Sequence, residues 1–308
     1  MIKVDLITGF LGSGKTTFLL KYARHLMNQG LKVGILEYDY GSINVDMVLL
    51  GRLRGSNCEI EMLAAACDRD CLERRFRTKL ISMAMSGYDR VIIEPSGVFD
   101  MDMFFDALRE EPLENWYEIG SVICVVNAAL GPQDEESDYI LASQVASSGK
   151  VLLSRTQLVS ADDIEATKLH IARGLETIGC KNAHVSYMDK CWDELTEEDY
   201  RILMNAGYHI GDYVKKYDSD RNSFSSVSLL DQPCDIQTLK IKVKELFEDK
   251  AYGQIERIKG FAFDQGKNYQ LNITPYEENI TECNAGSGVL IIIGKDLDEN
   301  RIRELIFG

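Results

Sequence analysis

The stretch ITGFLGSGKTT, residues 7–17, decides the fold of the first half of this chain. It follows an apolar run and opens a helical pattern, and it carries three glycines with one lysine near its end. Glycines allow the backbone to wrap around an anion with successive N–H groups pointing inward, and the helix that follows contributes its N-terminal dipole. The pattern Gly-x4-Gly-Lys-Thr between a strand and a helix is typical of a phosphate-binding loop. We therefore expect this segment to bind a nucleoside triphosphate, the alternative being a simple glycine turn.

The residues of this loop have separate expected roles. The Lys15 ammonium should bridge the β- and γ-phosphates, and the Thr16 hydroxyl should ligate Mg²⁺. The expected nucleotide contacts are Gly9, Gly12, Ser13, Gly14, Lys15, Thr16 and Thr17.

A carboxylate follows another apolar run, RVIIEPSG at 90–97. We expect Glu94 to hold Mg²⁺, directly or through water, and the backbone N–H of Gly97 to respond to a γ-phosphate. A carboxylate after a strand can instead cap a helix. Because this one accompanies a phosphate-binding loop, the metal role is favoured, and Lys15 and Glu94 are candidate catalytic residues.

Short apolar runs alternate with helical patterns over the first two-thirds of the chain. Expected strands lie at 3–8, 32–38, 90–95, 121–127 and 150–155, and expected helices at 15–29, 68–87, 101–110, 136–148 and 162–178. Apolar strands that alternate with helices indicate an α/β fold with a mainly parallel sheet. We expect this P-loop nucleotide-binding domain to span residues 1–206.

The pattern changes after residue 206. Residues 207–226 are polar and rich in tyrosine, and we expect a linker there. A helical pattern at 234–249, several strand patterns and a closing helix follow. This order predicts a smaller α+β domain at 227–308 with a mainly antiparallel sheet.

The charge of the chain argues against some partners. Its 34 Lys plus Arg residues and 49 Asp plus Glu residues give a net charge of −15. An acidic surface repels nucleic acid and anionic membranes, so we expect neither as a partner. No window supplies the roughly 18 apolar residues of a membrane helix, and the first residues have no leader pattern. We expect a cytoplasmic protein whose eight cysteines are mostly free thiols.

These motifs together resemble the CobW-like GTPases, relatives of the urease and hydrogenase accessory GTPases. The matching segments are the glycine-rich loop, EPSG at 94–97, EYDYGSINVD at 37–46, Gln144, and the C-terminal runs GQIERIKGFAF and VLIIIGKDLDENRIRELI. The resemblance implies GTP and Mg²⁺ as ligands and a metalloprotein or cofactor-dependent enzyme as client. It also adds Asp39, which stands where the family has a glutamate, to the candidate catalytic residues.

The cysteine motif departs from the family pattern. The family carries Cys-x-Cys-Cys between its second strand and the strand that ends here at Glu94, whereas this chain has CEIEMLAAACDRDC at 58–71. A cysteine pair four residues apart would share one helix face and could offer two thiolates to Zn²⁺ or Co²⁺. The candidate ligands are Cys58, Cys67 and Cys71, with Asp39, Asp68 or Asp70 to complete the set. The alternative is that these are ordinary thiols, and we expect the scattered His25, His170, His184 and His209 to be structural or exposed.

The base-recognition motif departs as well. The family has Asn-Lys-x-Asp, whose carboxylate accepts two hydrogen bonds from guanine, whereas this chain has SRTQ at 154–157. Gln157 offers a neutral acceptor, and charge-assisted bonds are roughly twice as strong as neutral ones. Arg155 could still stack over the base as a lysine would. We expect Ser154, Arg155 and Gln157 to contact the base, with GTP as first choice and ATP open.

The sequence thus predicts a P-loop GTPase with slow Mg²⁺-dependent hydrolysis, coupled to delivery of a metal or cofactor to a client. No arginine finger is evident, so a client or the second copy of a homodimer could complete the site. Two alternatives stay open. One is an ATP-dependent activator of a corrinoid or other redox protein, and the other is a non-hydrolysing, nucleotide-switched binding module.

Overall fold

The computed structural model describes residues 1–39, 49–55, 57–64, 69–180, 184–213, 224–230, 235–283 and 288–307. It contains two compact units. The first comprises Met1–Tyr38 with Leu53–Asp220, and the second comprises Asp39–Arg52 with Arg221–Gly308. The division by contacts thus assigns Asp39–Arg52 to the second unit, which the domain boundaries 1–206, 207–226 and 227–308 do not; those boundaries stay a prediction.

The first unit is built on a mainly parallel sheet, as predicted. Its strands are β1 Ile2–Thr8, β2 Val33–Asp39, β3 Cys58–Ala64, β4 Arg90–Glu94, β5 Tyr117–Asn127, β6 Lys150–Ser154 and β7 Tyr187–Met188. Their order is β3-β2-β4-β1-β5-β6-β7, and the β1–β4, β1–β5, β2–β4, β5–β6 and β6–β7 pairs are parallel. The direction in which the chain adds strands reverses at β1, and ligands of such sheets bind outside the carboxyl ends of the strands at that point.

The described helices of the first unit are α1 Lys15–Asn28, α2 Arg69–Ala84, α3 Met101–Leu108, α4 Glu135–Ser147, α5 Ala161–Thr177 and α6 Glu197–Met204. Side-chain caps begin α3, α4, α5 and α6. Ser160 and Asp163 form a capping box at the start of α5, and Thr196 and Asp199 form another at the start of α6. These boxes satisfy backbone N–H groups that the first turn leaves unbonded.

A fully buried carboxylate, Asp5 on β1, joins several elements of the first unit. Two guanidinium nitrogens of Arg90 donate to it, and the Tyr22 hydroxyl donates at 2.8 Å. The Ser121 amide donates to the same carboxylate at 2.8 Å, and Arg90 also donates to the Met204 carbonyl at 2.7 Å. Buried charges persist only when they are paired and hydrogen-bonded. The network therefore connects β1, β4 and β5 with α1 and the end of α6.

The second unit has an antiparallel sheet covered by two helices. Its elements are β8 Phe224–Leu230, α7 Ile236–Glu248, β9 Gln254–Asp264, β10 Lys267–Thr274, β11 Glu277–Cys283, β12 Val289–Lys295 and α8 Glu299–Phe307. The strand order is β11-β10-β9-β12-β8, and every pair is antiparallel. Apolar residues of both helices and of one sheet face form its core, among them Leu239, Ile258, Leu290, Ile292 and Ile302. These observations confirm the predicted α+β class.

One element of this unit differs from the prediction. Strand β8 begins at Phe224, inside the stretch 207–226 that the sequence predicts to be a linker, and it precedes the helix. Its sequence, FSSVSLL, contains three serines and so carries a weak strand signal. Among the described helices, none has the length and apolarity needed to cross a bilayer.

Candidate nucleotide-binding site

The glycine-rich loop lies at the carboxyl edge of the parallel sheet, between the end of β1 and the start of α1. Gly9 has a φ of 140°, and a Cβ placed there would lie 2.1 Å from the Val125 carbonyl oxygen of β5. Only glycine permits that backbone angle and that approach. Helix α1 has no acidic residue in its first turn, so its N-terminal dipole is left for an external anion.

The Lys15 ammonium is buried within the loop. Its Nζ donates to the carbonyl oxygens of Gly9 at 2.8 Å and Phe10 at 3.3 Å. These bonds hold the charge over the concave backbone of the loop. The Ser13 hydroxyl is buried as well and makes no hydrogen bond within the described part of the chain, which leaves it available to a ligand.

Thr16 and Glu94 are brought together across 78 residues of sequence. The Thr16 hydroxyl donates to Glu94 Oε1 at 2.7 Å, and both side chains are buried. A hydroxyl and a carboxylate are oxygen ligands of the kind that Mg²⁺ prefers. The pair therefore fits the metal that the sequence predicts at these residues.

Gly97 is enclosed between the loop and α4. A Cβ on Gly97 would lie 2.5 Å from the Leu11 amide nitrogen, so only glycine fits there. On its other side, Gln144 Nε2 donates to the Gly97 carbonyl at 3.0 Å, and Gln144 is fully buried. Any movement of the segment after Glu94 would therefore shift its contacts with both the loop and α4.

The predicted base-contact residues lie at the end of β6. Ser154 is buried, whereas Gln157 is exposed on a short 3₁₀ helix, Thr156–Leu158. Arg155 has a φ of 59°, and its guanidinium donates to the Gly12 carbonyl at 3.1 Å and, more weakly, to the Ser13 carbonyl at 3.5 Å. The arginine thus contacts the loop from the side on which Gln157 lies.

Trp192 is the residue of this region that the sequence analysis missed. A Cβ on Gly14 would lie 3.2 Å from the Trp192 Cη2 atom, and the Trp192 Nε1 donates to the Leu153 carbonyl at 2.9 Å. The signal that could have found it is a tryptophan in a charged stretch, DKCWDE at 189–194. The other predicted loop residue at the start of α1, Thr17, is exposed.

The structure places the predicted metal ligands in different settings. Cys58 lies on β3, where burial raises the pKa of its thiol to about 11 and disfavours the thiolate that binds metal. Cys71 is partly exposed on α2, and Asp70 is exposed in the first turn of that helix. Cys67 and Asp68 lie outside the described residues, as does the side chain of Asp39 at the end of β2. Within the described part, no three His, Cys, Asp or Glu side chains gather as a metal site.

The histidines are separate from one another, as expected. His25 is buried and stacks on Tyr200 with ring centroids 4.2 Å apart, and His170 contacts the Asp138 carboxylate at 2.6 Å. His184 and His209 are exposed.

Known proteins similar to this chain include several named for zinc. The zinc chaperone YjiA of Escherichia coli (strain K12) is 27% identical over 88% of this chain and 84% of that protein. The zinc chaperone CobW of Sinorhizobium sp is 24% identical over 99% of this chain and 96% of that protein. Among solved structures, the Zn(II)-bound YjiA GTPase from E. coli is 22% identical, with a TM-score of 0.42 over 99% of this chain and 97% of that chain.

A family model covers more than half of the chain. The model described as CobW/HypB/UreG, nucleotide-binding domain, matches residues 3–177. That range contains the glycine-rich loop, the Thr16–Glu94 pair and the segment after β6. The chain therefore belongs to the CobW/HypB/UreG family of P-loop GTPases.

Proposed function

We propose that this chain binds Mg²⁺·GTP at the glycine-rich loop, hydrolyses it slowly, and uses the change to control delivery of a metal ion to a client protein. The observation that carries the proposal is the buried contact of Thr16 with Glu94 beside the buried Lys15. These groups supply the cation, the hydroxyl and the carboxylate that phosphoryl transfer requires.

The assigned roles follow from position. Lys15 contacts the β- and γ-phosphates, and the backbone amides of the loop bind the same anion. Thr16 and Glu94 would hold Mg²⁺, which would neutralise charge on the phosphates. Asp39 is assigned to the segment that responds to the γ-phosphate, together with Gly97, whose carbonyl is held by Gln144.

Slow hydrolysis is expected because the arginine beside the loop is already engaged. The Arg155 guanidinium contacts the carbonyl of Gly12 on the base side of the loop. A positive charge at the γ-phosphate would then come from a client or from a second copy of the chain in a homodimer. Either event would couple GTP cleavage to assembly.

The cargo is assigned as Zn²⁺, with Co²⁺ as the second choice. The similar proteins named above are zinc chaperones, and thiolates are suitable ligands for both ions. Of the three candidate cysteines, Cys67 and Cys71 are assigned to the cargo, because the raised pKa of Cys58 counts against it.

We keep 1–206 and 227–308 as the proposed nucleotide and client-contact domains, with 207–226 between them.

A competition with a zinc-binding dye tests the coupling. Zn²⁺ affinity is measured for the wild type and for the Cys67→Ser/Cys71→Ser double variant, without nucleotide, with Mg²⁺·GTP and with Mg²⁺·GDP. We expect the wild type to change its Zn²⁺ affinity between the two nucleotides and the double variant to lose tight binding. Cys180→Ser, a free thiol elsewhere in the first unit, is the matched control and should behave as wild type. A wild type that takes up no Zn²⁺ in any nucleotide state would contradict the proposal.

A second candidate is an ATP-dependent activator of a redox protein. The neutral, exposed Gln157 favours it, because the site lacks the carboxylate that reads guanine. Comparing the rates at which the protein hydrolyses GTP and ATP separates the two functions. A non-hydrolysing module would show the same phosphate release for the wild type and Lys15→Ala.

A further inference from the structure

Trp192 connects the two elements that border the glycine-rich loop. Its Nε1 donates to the Leu153 carbonyl on β6, and its ring lies against Gly14 and Phe18 at the start of α1. The Phe18 and Trp192 ring centroids are 5.5 Å apart. The indole therefore occupies the corner between the phosphate-binding loop and the segment predicted to contact the base.

The segment that carries this tryptophan is fixed by ion pairs on both sides of it. The pairs are Asp189 with Lys168 at 2.9 Å, Lys190 with Asp199 at 2.7 Å, and Asp193 with Lys21 at 2.6 Å. Each surface pair contributes little energy alone, but together they restrain the short chain between residues 189 and 193. A side chain that is already restrained loses less entropy when a ligand packs on it.

The surroundings of the indole suit a flat ligand. Trp192 is half-buried, so the residue is still partly accessible to a ligand. A Cβ on Gly14 would lie close to the indole and 3.7 Å from the Ser154 Cβ. The end of β6 and the indole therefore both lie beside Gly14. The planar guanidinium of Arg155 follows Ser154 directly and contacts the carbonyl of Gly12. Two planar groups thus border the loop on its base side.

We propose that Trp192 is the stacking partner of the purine base of the bound nucleotide, and that stacking replaces charge-assisted reading of guanine in this chain. This inference rests on the proposed nucleotide site and deepens it. Every base presents a π-face, so stacking is tolerant of base identity. Gln157 adds no charge to favour guanine. GTP and ATP should therefore bind with affinities within about tenfold of each other.

The test separates the base from the phosphates. Dissociation constants for GTP, ATP and inorganic tripolyphosphate, each with Mg²⁺, are measured by calorimetry for wild type, Trp192→Ala and Trp192→Phe. We expect Trp192→Ala to weaken GTP and ATP by roughly 10- to 100-fold, the contribution of one stacked base, and to leave tripolyphosphate unchanged. Trp192→Phe keeps an aromatic face and should recover most of the affinity.

The other tryptophan provides the matched control. Trp116 is 37% exposed and directly precedes β5, at the amino ends of the parallel strands, where its carbonyl accepts from the Ile2 amide. Trp116→Ala should leave all three affinities unchanged. In Trp116→Phe, where Trp192 is the remaining tryptophan, both nucleotides should change the intrinsic fluorescence and tripolyphosphate should not.

Gln157→Asp tests the second half of the proposal. A restored carboxylate should raise the preference for GTP over ATP by roughly tenfold. A wild-type preference for GTP clearly above about tenfold would overturn tolerance of the base, since stacking is tolerant of base identity.

Three results would overturn the stacking role in distinguishable ways. If Trp192→Ala weakens tripolyphosphate as much as the nucleotides, the indole only supports the loop. If it weakens none of the three ligands, the base lies elsewhere. If the wild type binds none of them, the proposed nucleotide site itself fails and the stacking role fails with it.

Discussion

Gly97 is a position at which one added carbon should damage the site. A Cβ there would lie 2.5 Å from the Leu11 amide nitrogen, and backbone cannot yield as a flexible side chain can. We expect Gly97→Ala to displace the loop or the segment after Glu94 and to weaken Mg²⁺·GTP binding at least about tenfold, as overpacking costs about 1–3 kcal/mol. Calorimetry gives the affinity. Gly51→Ala is the control, because no atom lies within 4 Å of a Cβ placed at Gly51, and equal losses in both variants would contradict the steric account.

Asp5 is expected to matter for stability and not for nucleotide binding. Asp5→Asn keeps the size of the side chain but removes the charge that compensates Arg90 in the core. Breaking a buried ion pair on one side costs about 3–5 kcal/mol, which should appear as a lower midpoint in urea denaturation. The remaining folded protein should bind nucleotide with unchanged affinity. A loss of stability below about 1 kcal/mol would show that the network contributes little.

At the scale of elements, the cap of α6 makes stability depend on pH. Hydrogen bonding to Lys190 and to the Thr196 amide and hydroxyl lowers the pKa of Asp199 to about 2. Because the folded pKa lies below the unfolded value of about 3.9, the contribution is complete above pH 4 and is lost as the pH falls towards 2. We expect Asp199→Asn to destabilise the protein by about 1 kcal/mol near neutral pH, and the difference from wild type to shrink between about pH 4 and pH 2.

Urea denaturation at several pH values checks this prediction. Asp163→Asn is a matched control, because it breaks the same kind of capping box on α5, in a carboxylate whose lowered pKa comes from its bonds with Ser160. Since no lysine contacts Asp163 in the part of the chain that the structure describes, its substitution should cost less. A difference between Asp199→Asn and wild type that persists below pH 2 would refute the assignment.

The elements that the sequence predicted well are those whose signals are local. Apolar runs such as RVIIE mark a buried strand within five residues, and the loop at 9–16 carries its phosphate-binding pattern in adjacent positions. Strand β3 is not among the expected strands, because its sequence, CEIEMLA, contains two glutamates and an alanine, residue types that are depleted in strands. Helix α2 begins at Arg69. Of the predicted cysteine pair, Cys71 therefore lies in the described helix.

The contacts that were not predicted depend on the tertiary fold. Nothing near Trp192 in the sequence indicates that it lies against Gly14, since 178 residues separate the two (192 − 14). The same holds for the hydrogen bond from Gln144 to Gly97, which requires α4 to pack beside the end of β4. The resemblance to the family identifies Gln144 as a matching position. The Gly97 carbonyl that Gln144 donates to is evident only from the fold.

At the scale of the whole molecule, the chain forms two compact units and belongs to the CobW/HypB/UreG GTPase family. The chain carries a net charge of −15, which favours divalent cations and basic partners over nucleic acid. A nucleotide switch requires that binding energy at the loop differ between the triphosphate and diphosphate states. We propose that Lys15 and the Thr16–Glu94 pair make that difference.

The most direct test of this account is a calorimetric titration of Mg²⁺·GTP into the wild type and into Lys15→Ala. Hydrogen bonds from a charged donor contribute about 1.5–3 kcal/mol each, and Lys15 is assigned to two phosphates, so the variant should bind at least about 100-fold more weakly. Its circular dichroism spectrum and melting transition should match those of the wild type. A variant that retains the wild-type affinity, or a wild type that gives no heat with either GTP or ATP, would contradict the claim that this loop binds a nucleotide.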